Sequence, residues 1–143
     1  MNSKPLVSII MNCYNSDKYL KDAIDSVYKQ TYTSWEIIFW NNKSTDNSKN
    51  IALSYDEKIR YFESDSFLNL GNARCKACKK ARGKYLAFLD CDDLWLHDKL
   101  ERQVELFENS KETIGLVYGK TIYYSDFKKK KLKRYQPTLD GYL

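Results

Sequence analysis

The chain has 143 residues, of which 43% are apolar, and its formal net charge is +5. A chain of this size and composition is able to bury the core of one domain, which excludes an intrinsically disordered protein. No apolar run approaches the roughly 20 residues that a transmembrane helix requires, and the start of the chain lacks a secretory pattern. We therefore expect a single domain over residues 1–143 and a cytoplasmic location.

Strand-like and helix-like segments alternate along the chain. The apolar run 6–12 is typical of a strand buried on both faces, and the helix after it carries apolar residues at helical spacing. The predicted strands are 6–12, 35–40, 59–62, 85–89 and 114–118, and the predicted helices are 17–30, 45–55, 71–83 and 98–109. Asn15 or Ser16 is the expected cap of the first helix, and Thr45 that of the second. Gly83 is the expected C-terminal stop of the third.

Repeated strand–helix units predict an α/β fold with a mostly parallel, doubly wound, Rossmann-like sheet. Residues 121–124 and 132–135 are expected to pair, so that 125–143 forms a basic hairpin and tail. In doubly wound sheets the ligand crevice lies at the carboxyl ends of the strands. Three polar clusters fall at such ends, at 12–16, 41–46 and 90–93. The pattern alone therefore predicts that these clusters line one binding site.

Two carboxylates follow the fourth predicted strand, Asp90 and Asp92, with Cys91 between them. In extended backbone, residues two apart point to the same side, so both carboxylates would face one cation. Mg²⁺ and Mn²⁺ prefer oxygen ligands, and Mg²⁺ often takes only one or two carboxylates from protein, leaving the rest to phosphate and water. The alternative is an acidic turn that caps the next helix, and this pattern by itself leaves that alternative open.

Five segments carry a further pattern, at 7–15, 23–32, 44–48, 72–74 and 83–95, the last of which contains Asp90-Cys91-Asp92. Together they resemble glycosyltransferase family 2, which has the GT-A fold, over about residues 6–124 and in the family's order. Several ordered motifs are more specific than any one of them. The resemblance implies the donor-binding half of a GT-A domain, truncated before the part that carries the acceptor site and the general base.

The resemblance implies a metal-dependent enzyme that transfers a sugar from a nucleoside diphosphate sugar, usually a UDP-sugar, to an acceptor hydroxyl with inversion. Polysaccharide or glycolipid synthesis is the expected setting, with a saccharide or lipid-linked acceptor. Asp92 and Asp90 would hold Mg²⁺ or Mn²⁺ on the diphosphate, with Asp92 the more direct ligand. The other expected contacts to the nucleotide sugar are Cys13, Tyr14, Asn15, Asn41, Asn42, Arg74 and Cys91. The alternative is a catalytically incomplete module that binds nucleotide sugar.

The chain departs from the family's pattern in the loop after the second strand. The family usually has Asp-Asp-Gly where this chain has Asn41, Asn42 and Lys43, and one of those carboxylates accepts a hydrogen bond from uracil. An amide oxygen accepts the same bond without charge, so we expect weaker uracil recognition or a different base. Lys43 in place of glycine also removes conformational freedom.

Other polar residues have less specific explanations. Cys75 and Cys78 form one CxxC pair, and with His97 as the only histidine a four-ligand zinc site is not expected. The basic run from Lys128 to Arg134 is either a solvated turn or a peripheral contact to anionic lipid headgroups at the inner face of a membrane. Nucleic-acid binding is not expected, and no motif assigns a general base.

Overall fold

The computed structural model describes residues 6–125 and 130–135, except for the side chains of 123–125 and 130–135. The chain divides into two units, Met1–Arg102 and Gln103–Leu143. Within the described residues, none of the helices combines the length and the apolar character needed to cross a bilayer.

The first unit is built on a parallel sheet of four strands. Its strands are β1 (Val7–Cys13), β2 (Trp35–Asn41), β3 (Ile59–Glu63) and β4 (Tyr85–Phe88), and the helices between them are α1 (Asp17–Tyr28), α2 (Ser48–Leu53) and α3 (Leu70–Cys78). The strand order is β3-β2-β1-β4, and all three strand pairs are parallel. The predicted α/β fold with a parallel sheet is therefore confirmed.

The two central strands are buried on both faces, as their continuous apolar runs predict. Ile10 and Ile38 pack with Ala73 of α3 on one face of the sheet. Ile9 and Ile37, their neighbours along the strands, point to the other face and are 0% exposed. Both faces of the sheet are therefore covered, which is the doubly wound arrangement.

The order of the strands places the crevice. The chain runs from β1 to β2 to β3 in one direction and then places β4 on the other side of β1. Ligands of doubly wound sheets bind at such a reversal, beyond the carboxyl ends of the strands. The loops that follow β1, β2 and β4 at this edge contain the three polar clusters that the sequence singles out.

A buried carboxylate, that of Glu36, links neighbouring segments at the amino end of the sheet. Glu36 is 7% exposed, and its two oxygens accept hydrogen bonds from Ser8 Oγ (2.7 Å), Arg82 N (2.9 Å) and Arg60 Nη1 (3.0 Å). Burial raises the pKa of Glu36, but the bonds from Ser8, Arg82 and Arg60 outweigh it, so the pKa lies below its usual value. The charge is buried but fully bonded, which makes its burial tolerable.

Gly83 has a different role from the predicted helix stop, because α3 already ends at Cys78. A Cβ at Gly83 would lie 2.6 Å from Ser8 N and 2.7 Å from Leu6 O, both of which are backbone atoms of the β1 segment. The Gly83 N–H donates to Ser8 Oγ (2.8 Å). Glycine is required here because two backbones approach too closely to leave room for a side chain.

The helix caps also differ from the prediction. Ser16 occupies the N-cap position of α1, but its side chain makes no cap bond and donates instead to Tyr14 O (3.2 Å). Because α2 begins at Ser48, with Asn47 at the N-cap position, Thr45 is not its cap. Ser and Thr favour caps in general, but the tertiary contacts of the loops decide which residue serves.

The second unit contains most of α4 (Lys99–Asn109) and the antiparallel pair β5 (Thr121–Ser125) and β6 (Lys130–Tyr135), which confirms the predicted hairpin. Its turn, residues 126–129, lies outside the described residues. The predicted strand at 114–118 is wrong. Leu116 is 70% exposed, and no described strand pairs with this segment, so it lacks the backbone partner that a strand requires.

We predict that Gly83→Ala lowers the free energy of unfolding by about 1–3 kcal/mol, because the added methyl group overlaps two rigid backbone atoms. Gly119→Ala is the matched control, since a Cβ there meets no atom within 4 Å. Urea unfolding of both variants measures the difference. Equal stabilities for the two variants would contradict the close approach at Gly83.

Candidate functional site

Two loops at the carboxyl edge of the sheet are bonded to each other, the one after β1 and the one after β2. The Asn15 N–H donates to Ser44 Oγ (3.1 Å), and Asn15 Oδ1 accepts from Thr45 N (2.8 Å). The Ser16 N–H donates to Ser48 Oγ (3.1 Å). The two predicted clusters therefore form one continuous rim.

Asp46 joins the N-termini of two helices within this rim. Its Oδ2 accepts from the Asp17 N–H (2.9 Å) at the start of α1, and its Oδ1 accepts from the Ser48 N–H (3.0 Å) at the start of α2. Burial raises the pKa of Asp46, but the bonds from Ser48 and Asp17 outweigh it and hold the pKa below its usual value. One carboxylate thus accepts the N-terminal N–H bonds of both helices, a capping role that the sequence predicts for Asn15 or Ser16 and for Thr45.

Two residues of the rim adopt the left-handed backbone conformation, Asn15 (φ 49°) and Lys43 (φ 68°). Asparagine tolerates this region through local hydrogen bonds of its short side chain, whereas lysine has no such compensation. Lys43 stands where the family pattern has glycine. The loop therefore keeps the backbone shape that glycine favours although the residue has changed.

The amides of Asn41 and Asn42 bond to the protein. Asn41 is 0% exposed, its Oδ1 accepts from Ser44 N (3.0 Å), and its Nδ2 donates to Tyr61 OH (2.8 Å). Asn42 is 6% exposed, and its amide bonds both the N–H (3.0 Å) and the C=O (2.8 Å) of Leu68. Both residues therefore shape the wall of the crevice. Their predicted contact to the base stays a prediction.

The acidic cluster forms a turn. β4 ends at Phe88, and the Asp93 N–H donates to Asp90 O (3.2 Å), so residues 90–93 are not extended as the sequence argument assumed. The turn buries Cys91, which is 5% exposed, and leaves Asp90 and Asp92 exposed on either side of it. The carboxylates reach solvent at the crevice edge through a turn rather than through strand alternation.

Charge is concentrated at this turn. Burial, and then the neighbouring charges of Asp92 and Asp90, raise the pKa of Asp93 above its usual value. Arg74 of α3 offsets part of the charge, since its Nη2 donates to Asp90 Oδ1 at 2.9 Å. Its guanidinium also lies 5.7 Å from the ring centroid of Phe88. The structure thus brings together Arg74 and Asp90, two of the predicted site residues.

Two buried thiols link β1 to the acidic turn. Cys91 Sγ donates to Asn12 O (3.3 Å) of β1, and Cys13 Sγ lies 3.9 Å from Ser44 Oγ. Contact with the Cys91 thiol lowers the pKa of Cys13, whereas the pKa of Cys91 is raised by the same contact and by burial. All four cysteines are free. Both predicted thiols therefore lie in the floor of the site and connect its two sides.

Asn12 carries buried amide atoms without a hydrogen bond among the described residues. It lies at the carboxyl end of β1, directly before Cys13. Leaving a buried amide unpaired costs about 1–3 kcal/mol, and such groups are concentrated where function requires them. This residue is a further feature of the site that pattern reasoning did not single out as a contact.

An exposed aromatic pair stands at the same edge. Tyr14, which follows β1, and Phe67, which precedes α3, are 51% and 61% exposed, and their ring centroids are 4.8 Å apart. Tyr14 is a predicted contact. The sequence analysis missed Phe67, because a single aromatic residue in a polar loop carries no motif.

Other candidate residues lie elsewhere. Trp95 and His97 contact α1, where they help to line a groove of about 290 Å³, and the Trp95 N–H donates to Ser26 Oγ (3.1 Å). Cys75 is exposed on α3 and Cys78 is half-buried. In the part of the chain that the structure describes, no group of three or more His, Cys, Asp or Glu side chains is arranged to hold a metal ion.

Comparison with known proteins gives the family. Residues 8–142 match glycosyl transferase family 2. The chain belongs to this family. It is 44% identical over 109 residues to the Bacillus subtilis glycosyltransferase TuaG, whose name proposes a role in teichuronic acid biosynthesis, and covers 42% of that protein. It is 38% identical over 115 residues to the Escherichia coli UDP-Glc:alpha-D-GlcNAc-diphosphoundecaprenol beta-1,3-glucosyltransferase WfgD and covers 45% of it.

These alignments use 73% and 80% of this chain. They cover less than half the length of either relative. Among solved structures, residues 1–349 of Staphylococcus aureus TarS in complex with UDP-GlcNAc have a TM-score of 0.69 and 26% identity, over 72% of this chain and 31% of the TarS 1–349 chain. The mannosyltransferase PcManGT of Pyrobaculum calidifontis, solved with GDP-Man and Mn²⁺, has a TM-score of 0.68 and 23% identity, over 74% of this chain and 33% of PcManGT. The fold is therefore that of the GT-A glycosyltransferases, as the resemblance implied.

We predict that Lys43→Gly raises the free energy of unfolding by about 0.5–1 kcal/mol, since glycine adopts a positive φ without steric cost. Lys79→Gly is the matched control, because Lys79 has an ordinary helical backbone (φ −64°) at the end of α3. That variant should lose stability instead. Denaturant unfolding measures the change in the free energy of unfolding for each variant. A loss of stability in Lys43→Gly would contradict the backbone argument.

The lowered pKa of Asp46 predicts a pH-dependent contribution to stability. An unfolded aspartate has a pKa near 3.8, so the folded carboxylate stabilises the protein above that pH and loses this effect as the pH falls through its lower folded pKa. Asp46→Asn, which keeps one acceptor oxygen, should be less stable than the wild type at pH 6, and the gap should narrow below about pH 4. Thermal unfolding from pH 2.5 to 6 measures the gap; a constant gap would refute the role of the charge.

Proposed function

We propose that the chain is the donor-binding part of a metal-dependent glycosyltransferase that uses a nucleoside diphosphate sugar, in polysaccharide or glycolipid synthesis. The observation that carries the proposal is the pairing of Arg74 with Asp90, on the same turn as the exposed Asp92, at the carboxyl edge of the sheet beside the reversal of strand order. Family membership and the UDP-GlcNAc complex of TarS support a UDP-sugar as donor.

The residues at the turn fit a divalent cation. Asp90 and Asp92 are exposed carboxylates on one short turn, and only one oxygen of Asp90 bonds to Arg74. Mg²⁺ takes one or two carboxylates from protein and completes its shell with phosphate and water, and Mn²⁺ accepts the same oxygen ligands. Asp92 has the more direct ligand role in this proposal. When bound there, the cation supplies neutralising charge to the diphosphate leaving group.

The chain's own residues contribute binding and orientation. Arg74 has further N–H donors besides the one that meets Asp90, and a guanidinium fork suits phosphate oxygens. Cys13, Tyr14 and Asn15 line the first loop of the crevice and would contact the base and ribose. The rim holds these residues in place through the hydrogen bonds of Asn15 and Asp46.

The proposed reaction is a direct displacement with inversion. The acceptor hydroxyl oxygen forms a bond to the anomeric carbon while the bond from that carbon to the diphosphate oxygen breaks. The hydroxyl proton passes to a general base, which this proposal assigns to no residue of the chain. Nucleotide sugar and a saccharide or lipid-linked acceptor are the proposed partners, at the cytoplasmic face of a membrane. Peripheral contact through Lys128–Arg134 is part of the proposal, and the side chains of that run lie outside the described residues.

One observation keeps a second function in view. The chain covers less than half of each relative named above, so binding without turnover is the expected behaviour of a donor-binding module that needs additional protein. Calorimetric titration with UDP and Mn²⁺, beside an assay of UDP-sugar hydrolysis, separates the two. Turnover would favour the complete enzyme, and binding alone would favour the module.

We predict that Asp92→Ala abolishes the Mn²⁺-dependent part of UDP binding and leaves the unfolding temperature unchanged, because the carboxylate is exposed and supports no element of the fold. Titration calorimetry with and without Mn²⁺ measures it. Glu57→Ala is the control, an exposed carboxylate that precedes β3 at the amino end of the sheet. Unchanged Mn²⁺-dependent affinity in Asp92→Ala would remove the metal role.

A further inference from the structure

We propose that Phe67 contacts the base of the nucleotide donor, and that the side-chain amide of Asn42 positions Phe67 for this contact. The inference rests on the proposed function, since it adds two roles to the same nucleotide site. Its ligand class is a flat heteroaromatic ring, and its protein side is an aromatic corner formed by Tyr14 and Phe67.

The aromatic corner is open to solvent at the carboxyl edge of the sheet. The two rings are 51% and 61% exposed and meet edge to face, with an interplanar angle of 66°. Such a pair presents the face of one ring beside the edge of the other. A planar base stacks on a ring face of this kind with little dependence on its identity, because every base has a π-face.

The position of Phe67 is set by a two-sided clamp on its neighbour. Asn42 Nδ2 donates to Leu68 O (2.8 Å), and the Leu68 N–H donates to Asn42 Oδ1 (3.0 Å). Only a side chain with both a donor and an acceptor makes these two bonds, so an aspartate at this position would repel the Leu68 carbonyl. The Asn42 amide is almost entirely buried, which keeps the clamp out of competition with water.

The same clamp changes how a base is recognised. Both amides in this loop already have hydrogen-bond partners within the protein, since Asn42 bonds to Leu68 and the buried Asn41 bonds to Ser44 and Tyr61. A carboxylate in this loop would offer a charged acceptor to uracil. Positions 41 and 42 carry no carboxylate in this chain, so in this proposal stacking on the Phe67 ring carries more of the base recognition.

The test compares variants by titration calorimetry with UDP, GDP and ADP in the presence of Mn²⁺. Phe67→Leu removes the ring face and keeps apolar bulk, and it should weaken the best-bound nucleotide roughly tenfold. Phe67→Trp restores a ring and should bind within about threefold of the wild type. Leu53→Ala changes an apolar residue of similar exposure (54%) at the end of α2; it is the matched control and should leave affinity unchanged.

The clamp is tested by a double-mutant cycle. Asn42→Leu, which removes both clamp bonds without adding a charged acceptor for the base, should weaken binding about as much as Phe67→Leu. The double variant should bind no more weakly than Phe67→Leu, because Asn42 acts through Phe67. Phe67→Leu affinity within twofold of the wild type for every nucleotide would overturn the ring contact. Additive losses in the double variant would overturn the positioning role. If the wild type bound none of the three nucleotides, the proposed function itself would fail, and this inference with it.

Discussion

The carboxylate of Asp46 is the contact on which the geometry of the crevice depends. It bonds the first backbone N–H groups of α1 and α2 at once, and so ties the loop after β1 to the loop after β2. A negative charge is favoured at this point because unpaired N–H groups and the helix dipole both concentrate positive charge at helix N-termini. The bond from the Asn15 N–H to Ser44 Oγ joins the same two loops. Together with the bonds of Asn15 and Ser16, the Asp46 carboxylate holds the predicted contacts to the nucleotide on two loops that are joined to each other.

The acidic turn differs from Asp46, because its negative charges lie close to one another and are only partly balanced by positive charge. Burial, and then the neighbouring charges of Asp92 and Asp90, raise the pKa of Asp93, and Arg74 pairs with Asp90 of these three carboxylates. The turn also places Cys91 in the floor of the site against Cys13, so that the carboxylates remain outside. The protein thus keeps an excess of negative charge at an exposed edge, where a divalent cation and the phosphates it binds would balance it.

The strands and the parallel sheet were predictable because they depend on patterns of neighbouring residues. The continuous apolar runs of β1 and β2 predict strands buried on both faces, and the alternation of strands with helices predicts the parallel sheet. The convergence of the three polar clusters follows from these two points alone. The segment 114–118 has the composition of a strand but not the hydrogen-bonded neighbour that makes one. Gly83 has the sequence context of a helix stop, yet what requires glycine there is the backbone of Leu6 and Ser8, far away in the chain.

The sequence by itself determined the fold class, the family and the edge of the sheet at which the polar clusters meet, because each depends on periodicity or on ordered motifs. Only the tertiary structure decided which atoms meet there. It assigned the caps to Asp46, turned Asn42 toward Leu68, and set Phe67 against Tyr14. Lys43 shows this difference between sequence and structure most clearly. Its residue type departs from the family pattern, while its backbone has the positive φ that glycine favours. Hydrogen bonds and ring contacts between residues far apart in the chain leave no local pattern, because they depend on how the loops are brought together rather than on their own composition.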